Sequence, residues 1–529
     1  MRPVITLCVI LCLMLFSSVD LFAQAAGDYR SNAAAGTWSV PGSWQRFDGS
    51  TWVAATSPPD GSQPITIQST DSMSVDIAVT ISNTLSNQGR LGGTSSLTIA
   101  NGGTYQHDQN NGSIPVCTWA EGSTCKVTGY ISGSKPSNAN QNFHNFIWDC
   151  PGHTANVDLA MSGNTIGGDF TVNNTGSARV QLTSPSSYSA PIAINGNILI
   201  TAGQFASNGS SSSATIVVNT LGNITVTGGN LSISRGSGTD VTWNLYGNFS
   251  VSDATLQNSG GSTRVQKLSF AGRGTHTVTL TNVTYGSSGT GPFTMEVQNG
   301  STVDMGTTVL SASNTGSFLL LAGGMLVSGH ADGVNGNIQC TGGSNGGGNS
   351  FSPDANYTFN GSAAQVTGSL MPATVNNLTI NNLSGVTLSQ PTTINGVLGL
   401  MAGEFDNTIP FTLGPSGSIL YGGGSLKIPV TSVEPPNDNT IPRSFFVDQN
   451  YPNPFNPSTA ITYGLPKGGH VRASVYNLLG QEIAVLFAGH ENAGIHTLHF
   501  DASKLGSGVY LCRIQADKDV DIKRMILMK

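Results

Sequence analysis

The chain has 529 residues, of which only 9% are charged and 67 are glycine, and its formal net charge is −7. A typical soluble domain is about 25% charged, so this surface must be polar mainly through hydroxyl and amide groups. Hydrophobic residues make up 38% of the chain, which excludes an intrinsically disordered protein. The net negative charge does not provide the excess of basic residues that nucleic-acid binding requires, so we expect no nucleic-acid partner.

Residues 1–25 have the pattern of a secretory signal peptide. Arg2 precedes an apolar run from Val4 to Phe16, and Ala23-Gln24-Ala25 fits a small-x-small cleavage site. The run is too short to cross a membrane as a helix. We therefore expect the rest of the chain to be secreted, either extracellular or attached to the outer-membrane surface.

Residues 26–150 predict a tryptophan-rich cap followed by the first coils of a β-rich domain. Trp38, Trp44 and Trp52 lie within 15 residues of one another, and short apolar alternations such as Ile65-Thr66-Ile67 follow them. Tryptophan often covers the open end of a repeat domain, which would otherwise expose strand edges. Exposed tryptophan can also stack on sugar rings, so a sugar-binding surface is the alternative.

Residues 151–430 contain an internal repeat of short β-runs. The segments GDFTV, GNILI, GNITV and GNFSV begin at Gly168, Gly196, Gly222 and Gly247, with spacings of 28, 26 and 25 residues. A longer match relates APIAINGNILITAGQF, from Ala190, to QPTTINGVLGLMAGEF, from Gln390. A repeat of this size built from β-runs predicts a parallel β-solenoid.

A parallel β-solenoid predicts which side chains face inward and which face outward. We expect about 11 coils in this region, with Ile194, Ile198, Ile224 and Phe249 facing inward at equivalent positions. Thr, Ser and Asn should cover the outer faces, and the Gly-Asn corners should supply left-handed backbone angles. A series of small β-sandwiches is the alternative, although the period is short for a sandwich domain.

The composition changes after the solenoid. Residues 431–442 are rich in proline and polar side chains, which predicts a linker. Nine of the chain's 21 Lys and Arg residues lie after it, so residues 443–529 form a separate predicted domain. Alternating segments such as Val471–Tyr476 and Val509–Ile514 predict strands there, and Asn477–Gly480 is typical of a turn.

This tail contains several segments in a fixed order: QNYPNPFNPST from Gln449, VYNLLGQE from Val475, AGIH from Ala493, LGSGVY from Leu505, and a basic, apolar ending from Lys523. With these segments it resembles the type A C-terminal sorting domain of proteins exported by the type IX secretion system of Bacteroidota and related bacteria. The positions that match the family's motifs are Tyr451, Pro452, Asn453, Pro454, Phe455, Asn456, Pro457, Tyr476, Asn477, Gly480, Gly494, Gly508, Tyr510, Lys523 and Lys529.

The resemblance implies a small immunoglobulin-like β-sandwich at the end of the chain. It also implies that the export machinery at the outer membrane is a partner, and that the domain is usually cleaved and replaced by a surface anchor. The fold class expected for the whole chain is therefore all-β, a parallel β-helix followed by this sandwich. The segment Asn453–Pro457 is consistent with this class, because each proline disfavours helical geometry in its neighbour.

Five cysteines remain after the predicted signal peptide. Cys117 and Cys125 are eight residues apart across a Gly/Ser/Thr stretch, and export permits disulfides, so they are the best candidate pair. Cys150 is an alternative partner for either, and buried free thiols are the other alternative. No C-x-x-C occurs, and we expect no metal site and no cofactor.

The sequence offers few candidates for catalysis. Gly342–Gly346 matches Gly-x-Ser-x-Gly, but a Gly/Asn/Ser loop follows it in place of the helix that a nucleophile elbow requires. Glu404 and Asp406 are the one close acidic pair of the solenoid and should share a strand face. No basic residue lies near them in sequence, although stacking could bring Asp304 or Asp332 closer. We therefore expect no catalytic residues.

Taken together, these patterns favour a secreted cell-surface β-solenoid with a structural, adhesive or glycan-binding role, whose partners are surface glycans or other surface proteins. The alternative is a β-helix polysaccharide lyase or glycoside hydrolase, which would be favoured by a cluster of three or more carboxylates with an Arg or Lys on one face of the solenoid.

Overall fold

The structure is a computed structural model and describes residues 24–185, 189–209, 214–236, 238–258, 264, 266–286, 293–311, 316–340, 348–428, 442 and 444–528. The chain divides into two compact units, Met1–Ile428 and Pro429–Lys529. The predicted signal peptide up to residue 23 and the predicted linker, except Pro442, lie outside the described residues. Among the described residues, no helix is long and apolar enough to cross a membrane.

The first unit is a parallel β-solenoid, which confirms the predicted fold class. Each coil contributes a strand to one continuous sheet, here called the first sheet. In stacking order its parallel strands are Tyr29–Ser31, Ile65–Ile67, Thr84–Asn87, Thr104–His107, Thr124–Val127, Asn145–Asp149, Phe170–Asn174, Ile198–Ile200, Ile224–Val226, Phe249–Ser252, Gly274–Thr281, Ser301–Gly306, Met325–Ser328, Asn356–Phe359, Leu378–Asn381, Val397–Ala402 and Ser418–Tyr421.

Two shorter rows of strands complete the coils. The strands that precede the first-sheet strand in a coil form the second sheet, which is built in three sections: Val79–Ile81, Leu97–Ile99, Thr118–Trp119; Thr165–Ile166, Ile192–Ile194, Thr215–Thr220, Asp240–Leu245, Gln266–Phe270, Phe293–Val297, Gly316–Leu320, Ser350–Phe351; and Thr374–Val375, Thr392–Ile394, Phe411–Leu413.

The strands that follow the first-sheet strand form the third sheet, also in three sections: Gly36–Thr37, Ser72–Ser74, Arg90–Gly92; Val157–Asp158, Arg179–Thr183, Gln204–Asn208, Asn230–Ser232, Thr255–Gln257, Thr284–Gly286; and Gln365–Val366, Val386–Thr387, Glu404–Asp406, Ser425–Leu426. The α-helix Gly333–Asn337 follows the first-sheet strand in one coil, and two 3-10 turns span Pro41–Ser43 and Thr94–Ser96.

Apolar side chains stack along the inside of the solenoid. Ile198, Ile224 and Phe249 are fully buried and lie in register on successive first-sheet strands, as predicted. Ile194 is also fully buried, but it lies on the second sheet opposite Thr220. Its predicted equivalence to the other three residues was therefore wrong, because Ile194 and Ile198 stand on either side of a corner. Eleven first-sheet strands fall within residues 151–430, the number expected.

The Gly-Asn corners have a different role from the one predicted. Gly196, Gly222 and Gly247 do not have left-handed backbone angles. Instead, the corners of successive coils approach closely: a Cβ atom on Gly222 would lie 2.4 Å from the carbonyl oxygen of Gly196, and one on Gly247 would lie 2.3 Å from that of Gly222. Glycine is therefore required by contact between backbones.

A ladder of side-chain hydrogen bonds connects these corners. The Oδ1 atom of Asp169 accepts the backbone N–H of Asn197 at 2.7 Å. Oδ1 of Asn197 accepts the N–H of Asn223 at 2.9 Å, and Oδ1 of Asn223 accepts that of Asn248 at 2.8 Å. Each of these side-chain oxygens thus satisfies a backbone donor of the next coil, which fixes the register of the stack.

The tryptophans at the start of the solenoid form part of a cap. Trp44–Phe47 and Trp52–Ala54 extend the first sheet in antiparallel orientation beyond Tyr29–Ser31. Trp38 and Trp44 are buried, with ring centroids 4.9 Å apart, and their indole N–H groups donate to backbone carbonyls. Buried rings of this kind close the end of a core and leave no free face to stack on a sugar.

The second unit is a seven-stranded antiparallel sandwich. One sheet contains Phe446–Val447, Ser458–Leu465 and Gly494–Asp501; the other contains Glu482–Glu491, Gly469–Tyr476, Gly508–Ala516 and Asp519–Leu527. Its own core lies between the two sheets and includes Ile461, Tyr463, Val475, Ile514 and Met525. Two antiparallel sheets packed face to face agree with the immunoglobulin-like class that the resemblance implied.

The inward register of the solenoid is tested by replacing Ile224 with Asp. The substitution buries an unpaired carboxylate among stacked apolar side chains, and we expect it to lower the free energy of unfolding by several kcal/mol. Thr225→Asp is the matched control, because Thr225 points outward from the same strand. Urea unfolding followed by circular dichroism should show a large loss for Ile224→Asp and a change below about 1 kcal/mol for the control; equal losses would refute the register.

Candidate functional site

The segment Tyr451–Pro457, here called the motif, lies against the last strand of the sandwich, Asp519–Leu527. The side-chain amide of Asn453 donates to the carbonyl of Arg524 at 3.1 Å, and its oxygen accepts the N–H of Ile526 at 2.8 Å. The backbone of Phe455 also bonds to this strand, with its N–H donating to Ile526 at 2.9 Å and its carbonyl accepting from Met528 at 3.0 Å. Both the side chain of Asn453 and the backbone of Phe455 therefore hold the motif against residues 524–528.

Within the motif, Phe455 is buried and Asn453 is half-buried, whereas the other five residues are exposed. Phe455 is buried and packs on Phe500, with ring centroids 6.0 Å apart. The amide of buried Asn450, which precedes the motif, donates to the carbonyl of Pro452 and to the hydroxyl of Thr459, both at 2.9 Å. The exposed residues of the motif are Tyr451, Pro452, Pro454, Asn456 and Pro457. This arrangement leaves a polar and proline-rich surface exposed to solvent.

The turn after Tyr476 displays a second exposed feature. The Oδ1 atom of Asn477 accepts the N–H groups of Leu479 and Gln481, both at 3.0 Å, and Gly480 adopts a φ of 79° that favours glycine. This fixed turn leaves Leu478 and Leu479 70% and 85% exposed. The tip of this turn is therefore apolar and exposed to solvent.

The other motif residues mostly shape the strands. Gly494 and Gly508 begin strands, and the hydroxyl of Tyr510 donates to the carbonyl of Gly506 at 2.7 Å. Lys523 forms an ion pair with Asp521 at 3.1 Å, and Lys529 lies outside the described residues.

Tyr476 belongs to a polar group on the outer surface of the four-stranded sheet. Its hydroxyl donates to the Glu482 carboxylate at 3.0 Å, and Arg472 donates to the same carboxylate at 2.8 Å. The nearby hydroxyl of Ser474 and the hydrogen bonds from Arg472 and Tyr476 lower the pKa of Glu482. This carboxylate is therefore ionised at neutral pH and orients the tyrosine beside the turn.

The predicted disulfide between Cys117 and Cys125 is absent, since the five cysteines within the described residues all have free thiols. Cys125 points inward, in register between Tyr105 and Phe146 of the adjacent coils, while Cys117 lies just before a second-sheet strand. The sequence spacing gave no information about this difference in orientation. Burial raises the pKa of the Cys117 and Cys150 thiols to about 12, which makes them poor nucleophiles.

Glu404 and Asp406 share the outer face of one strand, as predicted, and the structure adds a basic residue that the sequence analysis missed. Lys427, from the next coil, forms an ion pair with Asp406 at 2.6 Å. Hydrogen bonds from Lys427 and Thr408 lower the pKa of Asp406 to about 2.

The other acids proposed for this site do not reach it. Asp332 lies three coils from Asp406, about 14 Å at a strand spacing near 4.8 Å, and Asp304 lies on the first sheet about four coils away. Within the described ranges, no three His, Cys, Asp or Glu side chains are placed to hold a metal ion. The Gly-x-Ser-x-Gly match at 342–346 lies outside those ranges.

Comparison with known proteins identifies one part of the chain. Residues 449–528 match the family described as the secretion system C-terminal sorting domain. The tail is therefore a type IX secretion sorting domain, as the sequence resemblance indicated. No curated protein and no solved structure gives a significant match to the chain.

Export should depend on the sorting domain and on the two hydrogen bonds between the Asn453 side chain and the last strand. Deleting residues 443–529 should leave the protein in the periplasm of a host that has a type IX system, and Asn453→Ala should reduce surface delivery, because the motif loses both side-chain bonds to the last strand. Lys504→Ala, at an exposed position, is the control. Immunodetection on intact and fractionated cells measures the outcome; unchanged surface display of the truncated chain would contradict the assignment.

Proposed function

We propose that the protein is exported to the cell surface or beyond it, where its solenoid has a structural or adhesive role that includes binding to glycans. The sorting domain at residues 449–528 supports the first part of this proposal, because that domain implies interaction with the type IX machinery and export from the cell. The role of the solenoid rests on the chemistry of its outer surface.

The observation that supports this role is an uninterrupted outer row on the first sheet. Ten consecutive coils place one side chain each at the same register, and seven of the ten are uncharged and polar. In order the row is Thr66, Ser86, Gln106, Lys126, Ile147, Thr171, Leu199, Thr225, Ser250 and Thr279. Its one charged member, Lys126, is paired with Asp149 at 3.1 Å.

A row of this kind suits an extended ligand better than a small one. Each hydroxyl or amide contributes on the order of 1 kcal/mol in a hydrogen bond, so a single contact binds weakly. Contacts repeated every ~4.8 Å along a rigid row add up when the ligand is a polymer or a neighbouring surface. The low charge of the row removes electrostatic repulsion from most surfaces that approach it.

The acidic pair argues for a non-enzymatic role, which we include in the proposal. A glycosidase needs one carboxyl group that holds its proton near neutral pH to act as general acid. Asp406 is ionised and engaged by Lys427, so it is unsuited to that task. A glycosidase also needs a second carboxylate that is free to act as nucleophile or base, and the ion pair with Lys427 engages the carboxylate of Asp406.

The adhesive role is tested by adding charge to the outer row. Thr225→Asp and Thr279→Asp together should reduce attachment of cells that display the protein to glycan-coated surfaces severalfold, because each variant replaces a neutral hydroxyl, which can donate a hydrogen bond, with a carboxylate that can only accept one. Thr412→Asp, on the exposed side of the second sheet, is the matched control. Surface display is quantified in parallel for all variants. Equal attachment by the double variant and the control would refute the assignment of this row.

The enzyme alternative is tested with the purified chain and a panel of pectin, alginate and neutral polysaccharides. We expect neither new reducing ends nor unsaturated uronates to form. Glu404→Gln/Asp406→Asn provides the control for any signal. Turnover that disappears in this double variant would replace the adhesive proposal with a polysaccharide-degrading enzyme.

A further inference from the structure

The two sheets of the sorting domain have different outer faces. On the three-stranded sheet, apolar outward side chains are confined to one row, in which Phe446 lies over Gly464 beside Ile495. The neighbouring row contains only hydroxyl groups, those of Thr462 and Thr497, and the strands of this sheet that the structure describes contain no Lys or Arg. This face therefore offers a small apolar contact and no positive charge.

The outer face of the four-stranded sheet has a larger exposed apolar surface. This face, here called the basic face, consists of the outward side chains of four strands: Gly469–Tyr476, Glu482–Glu491, Gly508–Ala516 and Asp519–Leu527. Its most exposed aliphatic side chains are Val485, Val520 and Ile522, at 46%, 45% and 50%. Half-buried Leu511 lies diagonally beside Ile522 on the adjacent strand, so the apolar side chains of the last two strands form one patch.

This apolar surface is combined with a positive charge. Arg472, Arg513 and Arg524 face outward together with one acidic residue, Glu482, and three positive charges against one negative charge leave a formal charge of +2 when the histidines are neutral. Glu482 is engaged by Arg472 at 2.8 Å. Among the described residues, no carboxylate lies within ion-pair distance of Arg513 or Arg524, on a chain whose net charge is −7.

Three of the five segments on which the family resemblance rests contribute to the basic face. Tyr476 and Glu482 come from the segment that begins at Val475, Val509 comes from the one at Leu505, and Arg524 comes from the ending. Tyr476, Leu511 and Arg524 form one row across the strands. One machinery exports proteins that differ outside this domain, so it must contact features that their sorting domains share. Glu482 and Arg524 are exposed, so the core of the sandwich does not require them.

We propose that the export machinery contacts the sorting domain on the basic face, through a partner surface that is itself apolar and acidic. Burial of Val485, Val520 and Ile522 provides the hydrophobic part of the contact, and carboxylates of the partner pair with Arg513 and Arg524. The opposite sheet stays in solvent. This inference rests on the proposed export of the protein and specifies which surface of the sorting domain is recognised.

The apolar part of the contact is tested with Ile522→Asp in the full chain, expressed in a host that has a type IX system. A carboxylate in the centre of the patch should lower the surface-displayed fraction about fivefold or more, because it stays unpaired opposite an apolar and acidic partner. Thr497→Asp is the matched control, since it adds the same charge at an exposed position on the other sheet, and it should be displayed like wild type.

The electrostatic part is tested with Arg524→Glu, which should also lower the displayed fraction about fivefold or more, because like charges then face each other. Lys504→Glu, at an exposed position outside the strands, makes the same change of charge and should have no effect. Arg524→Lys keeps the positive charge and should be displayed within about twofold of wild type. Thermal melting of each purified chain shows whether the variants fold.

The displayed fraction is measured by immunodetection on intact and fractionated cells. Wild-type display of either Ile522→Asp or Arg524→Glu would overturn the assignment of the basic face. An equal loss in Thr497→Asp and Lys504→Glu would overturn it as well, because the loss would then not depend on position. Deletion of residues 443–529 is included in the same experiment. If that deletion abolishes display while the variants of the basic face do not, the proposed export stands and the recognised surface lies elsewhere on the domain.

Discussion

Close contact between the corners of successive coils is the constraint on which the solenoid depends. At Gly196, Gly222 and Gly247 the backbones approach so closely that a Cβ atom has no room. The side chains of Asp169, Asn197 and Asn223 then satisfy the backbone donors of the next coil. The corners fix the register of the coils. Ile198, Ile224 and Phe249 therefore stack directly on one another inside the solenoid, and the outer row places its side chains at a constant spacing.

Much of the architecture was predictable from the sequence, because a solenoid repeats the same environment. The match between residues 190–205 and 390–405 corresponds to the same three strands and the same corner, and both Gly203 and Gly403 have left-handed φ angles. The coils before residue 150 were harder to recognise as repeats. Their strands of three to five residues share little beyond a threonine at positions 84, 104 and 124, and the segments between them differ in length and composition.

The candidate sites were less predictable, because they depend on contacts between coils. Lys427 lies 21 residues after Asp406, and only the coil length brings the two together. The sorting domain is the opposite case: its motif residues lie in short segments whose order alone identified it, and Asn453 and Phe455 then proved to connect the motif with the last strand.

Backbone contact between coils requires glycine at the corners, and the most direct test of this requirement is the free energy of unfolding of Gly222→Ala. The added methyl group would lie 2.4 Å from the Gly196 carbonyl oxygen, and we expect a loss of about 2 kcal/mol or more. Gly92→Ala is the reference, because a methyl group there meets no atom within 4 Å and should leave stability unchanged or slightly higher. Equal stability of the two variants would contradict the account.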